Sequence, residues 1–364
     1  MPWYAAARKA QQRRTASARA DAPHRQPRVP PPRRRGASRS RTAPDKAPQR
    51  QKRATIRLFA RFPDAMLNAI PIRYVEPVYR PPSEAESLIV PVTDGCSWNH
   101  CTFCEMYTSE QKHFRARDEA EVLQGIRETG ARFGNAVRRV FLADGDALVL
   151  PTRRLLNILT AIRTHLPAVH RVSSYCLPRN LRRKTVEELR ELAAAGLSIA
   201  YVGAESGDDE VLERVNKGET SASTLAALDK LGAAGIKRSV MILNGLGGPE
   251  LSLRHADNSA RLLNAAQPEF LATLVVSFPL GEQRFRAGFP GWRPLRQHEL
   301  FVEMARFIER LTLERTLFRS DHASNWLVLR GTLGADKERL LHQLQQAIAH
   351  PETAALRPAW ARGL

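Results

Sequence analysis

Cysteine is scarce: the chain holds four in 364 residues, and three of them lie between positions 96 and 104. So few, and so clustered, exclude a disulfide scaffold and point to metal or redox chemistry in a reducing compartment. Long apolar runs are missing as well. The longest, "FLATLVVSFPL" at 270–280, has the length of a strand, and there is no secretory core or span of about 20 apolar residues. The chain is therefore expected to be cytoplasmic, without a membrane partner.

Acids are nearly absent from the first 53 residues, where 16 Lys or Arg face only Asp21 and Asp45. That stretch carries about +14 of the formal net charge of +19 and leaves the remainder only mildly basic. It also contains no Leu, Ile or Phe before Ile56. Too little apolar surface is available to offset the entropy of ordering, so residues 1–55 are expected to form a disordered basic tail. Its composition suits a polyanion-binding arm that contacts nucleic acid, a transit sequence, or an unstructured extension ahead of a start at Met66.

What is present is alternation. Strand patterns "SLIVPVTDGC", "RRVFLADGD", "RVSSYCLP", "SIAYVGAES", "KRSVMILNGLGG" and "FLATLVVSFP" are separated by amphipathic helical patterns. Pro151 opens one helix, and Thr185 with Glu188 forms a capping box before another. Six such units imply right-handed crossovers and a parallel sheet, either doubly wound or curved into an incomplete barrel. In both architectures function gathers at the carboxyl ends of the strands. The cysteine cluster, "DGD", "AES" and "GLGG" all follow strands. The expected organisation is a tail (1–55), a lead-in segment (56–86), a βα unit (87–281) and a C-terminal α+β extension (282–364). In that extension "GEQRFRAGFPGWRP" reads as a loop, followed by a helix at about 296–313, an extended segment and a last helix. "FRSDHASNW" within it reads either as a pocket lining or as a capped turn.

Three clustered thiols suit zinc, an iron–sulfur cluster, or a disulfide with a spare thiol. Structural zinc takes four N or S ligands, usually as two separated pairs. Here there is no second pair, and His100 abuts Cys101. Three cysteines instead fit a [4Fe–4S] cubane whose fourth iron stays open. Cys176 stands apart and reads as a small buried hydrophobe.

The loop "TDGCSWNHCTFCEMY" resembles the cluster loop of the radical S-adenosylmethionine (SAM) superfamily, with four then two intervening residues in place of the usual three then two. The pattern over about 80–280 looks closest to the group containing the oxygen-independent coproporphyrinogen oxidases, the methylthiotransferases and the elongator catalytic subunit. The resemblance implies a partial (β/α)6 barrel in which Cys96, Cys101 and Cys104 hold a [4Fe–4S] cluster. SAM binds the open iron and is reductively cleaved to a 5′-deoxyadenosyl radical that takes hydrogen from a substrate. It further implies that Asp144, Gly145 and Asp146 receive the SAM amino group. Glu205 meets the ribose hydroxyls or merely caps the next helix, and Lys217 meets the carboxylate. Gly245 and Gly247 approach the adenine, Phe103 packs near it, and Ser174 faces SAM or substrate or merely satisfies local backbone groups. A reductant such as flavodoxin or ferredoxin is the expected partner. The alternatives are an RNA-modifying radical SAM enzyme using the tail, a zinc-containing nucleic-acid-binding protein, and a nonenzymatic iron–sulfur scaffold.

Overall fold

The computed structural model describes residues 70–278 and 281–362. The tail expectation for 1–55, the Met66 start and the first part of the lead-in fall outside those residues. Strand β1 (Leu88–Pro91) breaks at Val92, and β2 (Thr93–Asp94) pairs antiparallel with β3 (Arg115–Ala116). The single strand expected here is thus two. Helix α1 (Glu119–Phe133) follows, capped by the Asp118 carboxylate, which accepts from Glu121 N at 2.9 Å.

The chain then alternates as β4 (Arg139–Ala143), α2 (Thr152–His165), β5 (Arg171–Cys176), α3 (Val186–Ala194) and β6 (Leu197–Glu205). It continues through α4 (Asp209–Arg214), α5 (Ser221–Ala233), β7 (Lys237–Asn244), α6 (Gly248–Ala266) and β8 (Phe270–Val275). The Thr185–Glu188 capping box forms, with bonds of 3.1 and 2.8 Å. β1, β4, β5, β6, β7 and β8 are neighbours in that order, all parallel. β1 is an edge, so the curved sheet stays open as a partial barrel.

Beyond β8 the structure departs from the sequence reading. A short helix, α7 (Gln283–Gly288), stands in the segment read as loop because Phe285 and Phe289 have an apolar cluster to enter. α8 (Gln297–Arg310) packs against α6 and against α9 (Lys337–Ala349). The extended segment supplies β9 (Leu317–Ser320), parallel to β8, and β10 (Leu329–Thr332), antiparallel to β9. The sheet therefore has eight strands. α6 starts at Gly248, with Pro249 in its first turn.

Strand alternation sorts the core into two layers. Leu88, Val90, Val140, Leu142, Ala200 and Val202 face the helices in the main cluster. Ile89, Phe141 and Ala143 face inward with Tyr74, Val78, Tyr175 and Tyr201. Fully burying a ring such as Phe141 contributes roughly 1.5–3 kcal/mol. Among the described residues no helix is long and apolar enough to cross a membrane.

Candidate active site

The cysteine loop is an excursion from the carboxyl end of the sheet, closed at its base by the β2–β3 pair. There Asp94 is buried and accepts from Arg115 at 2.7 Å and Arg117 at 2.7 and 3.0 Å, and together these cations hold its carboxyl below the usual range despite burial. Gly95, at φ +71°, presses against the Lys112 carbonyl where a Cβ would collide. After β4, Gly145 donates to Gly95 O at 3.0 Å, and a Cβ on it would come within 2.8 Å of Cys96 Cβ. Asp146 accepts from Ser97 N at 3.1 Å, from the Ser97 hydroxyl, and from Asn180 at 3.2 Å. Its carboxylate thus fixes the turn directly after Cys96.

The far side of the loop docks on the end of α4. Thr102 N donates to Val215 O at 2.9 Å, and Trp98 Nε1 donates to Asn216 O at 2.9 Å under the Arg179 guanidinium, 3.8 Å from the ring centroid. From α7, Arg284 donates to Cys104 O at 3.0 Å and to Asn99 O at 3.2 Å. Phe103 packs on the apolar cluster of Val211, Val215, Leu246, Phe285, Phe289 and Trp292. The loop is consequently fixed from three directions, with all three thiols free and half-buried. Burial and the Asp146 charge push the Cys96 thiol up to about 11, and burial pushes Cys104 up to about 12. Cys101 is raised by burial too, although Lys217 opposes it. Metal ligation needs thiolates, so loading this loop releases protons.

Glu205 ends β6 at a bulge, with φ +65°, a left-handed conformation that costs a non-glycine residue about 1–2 kcal/mol. It is buried, its Oε1 accepts from Lys217 Nζ at 3.2 Å, and its Oε2 has no partner. A Cβ on Gly203 would collide with that Oε1, so the absent side chain makes room for the carboxylate on the concave face. Burial opposes the Lys217 charge, but Glu205 and Cys101 outweigh it and hold the ammonium above its usual range. Lys217 Nζ also lies over the Phe103 ring, 5.8 Å from its centroid. The α4 cap is Asp208, which accepts from Val211 N at 3.1 Å, so Glu205 is free of that task.

Asp144 forms a fully buried ion pair with Lys112 and leaves Oδ1 without a partner. Burial raises its carboxyl against the pull of that lysine. Gly245, at φ +79°, donates to Glu303 Oε1 at 2.6 Å and accepts from Trp292 Nε1 at 3.3 Å. Gly247 is the residue before α6. The structure therefore gathers Cys96, Cys101, Cys104, Phe103, Asp144, Gly145, Asp146, Glu205, Lys217, Gly245 and Gly247 along one rim. Ser174 is not brought there. Its hydroxyl donates to Leu142 O at 3.0 Å and Tyr175 O at 2.9 Å, in register with the helix-facing Leu142 and Ala200. Cys176 is buried, its thiol 3.4 Å from Leu177 O, and His100 is exposed, its ring edge-on to Trp98. In "FRSDHASNW", Phe318–Ser320 belong to β9, and the turn that follows is tied to β8: Ser324 and Asn325 accept from Val275 N at 3.1 and 3.0 Å.

Sequence reasoning missed Lys112, Arg284, Trp292, Glu303 and Tyr107, whose buried hydroxyl has no partner. Only Glu303 left a signal, a carboxylate on the apolar face that α8 makes from Leu300, Met304 and Phe307.

The donor set fits the cofactors the loop resembles: three thiols in a fixed loop, and unpartnered carboxylate oxygens on Glu205 and Asp144 beside it. Among the described residues no three His, Cys, Asp or Glu side chains are placed to share a single metal ion. Residues 90–263 match the sequence profile of the Radical SAM superfamily. The chain is 26% identical over 165 residues to 4′-phospho-dehydrooxetanocin synthase of Priestia megaterium, a match covering 41% of this chain and 22% of that protein. Among solved structures, coproporphyrinogen III oxidase (HemN) from Escherichia coli, described as a radical SAM enzyme, aligns at 17% identity over 68% of this chain and 56% of its own, with a TM-score of 0.49. Methylornithine synthase (PylB) aligns at 14% over 75% and 74%, with a TM-score of 0.45. The cysteine loop and most of the strands around it lie within residues 90–263, so this part of the chain carries a domain of the radical SAM superfamily, whose enzymes use a [4Fe–4S] cluster and SAM.

Proposed function

We propose that Cys96, Cys101 and Cys104 hold the cluster, and that Glu205, Lys217, Asp144 and the Gly245–Gly247 turn seat SAM beside it. When bound, these cofactors supply one-electron cleavage of the SAM carbon–sulfur bond and a 5′-deoxyadenosyl radical able to take hydrogen from a substrate. Lys217 offers an ammonium to the cofactor's carboxylate. Glu205 Oε2 accepts from ribose hydroxyls, and Asp144 Oδ1 accepts from the amino group. Asp146, Trp98 and Arg284 keep the cysteine loop in one shape, and Phe103 with its apolar bed excludes water. The unit proposed to carry this activity is 87–281, with 282–364 extending the sheet and bracing the loop through Arg284. A one-electron donor such as flavodoxin or ferredoxin is its proposed partner.

The observation that carries this reading is Glu205, a buried carboxylate held in a costly backbone conformation with one oxygen unpartnered, joined to a lysine beside Cys101. The test is anaerobic reconstitution with iron and sulfide, reduction, and EPR with and without SAM. A [4Fe–4S]⁺ signal that shifts with SAM, together with 5′-deoxyadenosine in the supernatant, is the expected result. A cluster indifferent to SAM would sink the proposal.

A further inference from the structure

Register places residues of neighbouring parallel strands on one face. Tyr201, Ser239, Phe270 and Leu317 are partners across β6 to β9, and so are Gly203, Met241, Ala272 and Arg319. Both rows lie on the concave face, because the residues between them, Val202, Val240, Leu271 and Phe318, belong to the helix-side core. On the β1 to β6 side this face is filled by the aromatic cluster. On the β7 to β9 side Ser239, Met241, Phe270 and Ala272 are only half-buried, and Leu317 is 40% exposed.

The second row begins at Gly203, over which the Glu205 carboxylate and the Lys217 ammonium sit. It ends at Arg319, which is exposed, donates only to Phe318 O at 3.0 Å, and has no ion pair among the described residues. Its cross-strand neighbour Arg330 is paired with Asp321 at 2.7 Å, so Arg319 supplies the uncompensated charge at this edge. Three strand steps of about 4.8 Å separate Gly203 from Arg319, about 14 Å in all. Met241 and Ala272 form an apolar floor between them.

We propose that this open half of the concave face binds the substrate, a small molecule with an apolar body and an anionic group, carboxylate or phosphate, anchored by Arg319. The assignment rests on the cofactor reading above, because it is the Glu205–Lys217 end of the row that orients the molecule toward the cluster. The guanidinium matches either oxyanion in a two-point geometry, and the apolar floor holds the part to be attacked.

The test uses the full chain, reconstituted anaerobically, and two fluorescent probes of matched shape: 8-anilinonaphthalene-1-sulfonate, which is anionic, and N-phenyl-1-naphthylamine, which is neutral. Arg319→Gln should weaken the anionic probe about tenfold and Arg319→Glu more, Arg319→Lys should stay within about threefold, and the neutral probe should respond to none of them. Met241→Glu should weaken both. Unchanged sulfonate affinity in Arg319→Glu, parallel loss of the neutral probe, or indifference of both probes to Met241→Glu would each overturn the assignment. SAM affinity, measured separately, should be unchanged in Arg319→Gln. Wild-type protein that binds the sulfonate through Arg319 but fails to bind SAM would overturn the cofactor reading and leave the anion site standing.

Discussion

The two halves of the concave face begin from the same strand alternation and end differently. Under β1 to β6, Phe141 meets Tyr175 and Tyr201 edge-on at 5.0 and 6.1 Å, and Tyr74 and Val78 of the lead-in segment close the cluster from inside. Tyr74 donates to Ile89 O at 2.9 Å and Tyr201 to Glu84 at 2.7 Å, which satisfies the polar ends of those rings. Under β7 to β9 the same positions hold Ser239, Met241, Ala272 and Arg319. The first half is a core and the second a surface. Inward alternation therefore identifies a face, whereas side-chain size and the segment laid across it decide whether that face is filled.

The largest expected effect separates chemistry from scaffold. Cys101→Ala should abolish 5′-deoxyadenosine formation, while circular dichroism and the melting temperature show the barrel still folded, since Cys101 lies in the half-buried loop and outside the packed half. Retained cleavage would remove Cys101 from the ligand set. Next comes the packing contrast itself. Phe141→Ala should cost about 3–5 kcal/mol in denaturant unfolding, as expected for a fully buried ring, whereas Met241→Ala on the open half should cost about 1 kcal/mol or less. Equal losses would mean that the two halves are packed alike.

The barrel was legible because its period is local: six strand patterns, the capping box at Thr185 and the cysteine spacing can all be read within short windows. What stayed hidden is long-range. Arg284 reaches Cys104 across 180 residues of sequence, and Lys112 pairs with Asp144 from inside a loop that has no periodicity. β9 and β10 were read only as extended, because their place in the sheet depends on partners. Of the two readings for Ser174, the structure takes the backbone-satisfying one, because strand patterns locate a hydroxyl near a strand end but not the side to which it turns.

Each half also buries a glutamate, and the two differ in charge balance. Glu84, beneath the packed half, is clasped by Arg171 at 3.1 Å and by Tyr201. Glu303, behind the open half, accepts among the described residues only from Gly245 N and the Ser252 hydroxyl, each at 2.6 Å, and burial pushes its carboxyl up to about 7. A carboxyl with a folded value above its unfolded one binds its proton more tightly when native. Its contribution is therefore complete below about pH 4.5 and lost as pH rises through about 7, a difference of about 3 kcal/mol. Glu303→Gln should remove that slope, so the variant gains stability relative to wild type between pH 5 and pH 8 in urea titrations. The same stability difference at both pH values would show that Glu303 is already ionised in the fold.

The smallest effect bears on the seam between the halves, where Glu205 stands. Its left-handed backbone persists because Lys217 and the space over Gly203 hold the carboxylate in place, and a residue serving only to neutralise Lys217 would not need an unpartnered buried oxygen. Glu205→Ala should weaken SAM about 10-fold to 100-fold, the range expected for a lost hydrogen bond to a charged group, while iron and sulfide content stay unchanged because no thiol is touched. SAM affinity equal to wild type would reduce Glu205 to the counter-ion of Lys217. A parallel loss of iron would instead tie the carboxylate to the cysteine loop, and the seam would then belong to the packed half.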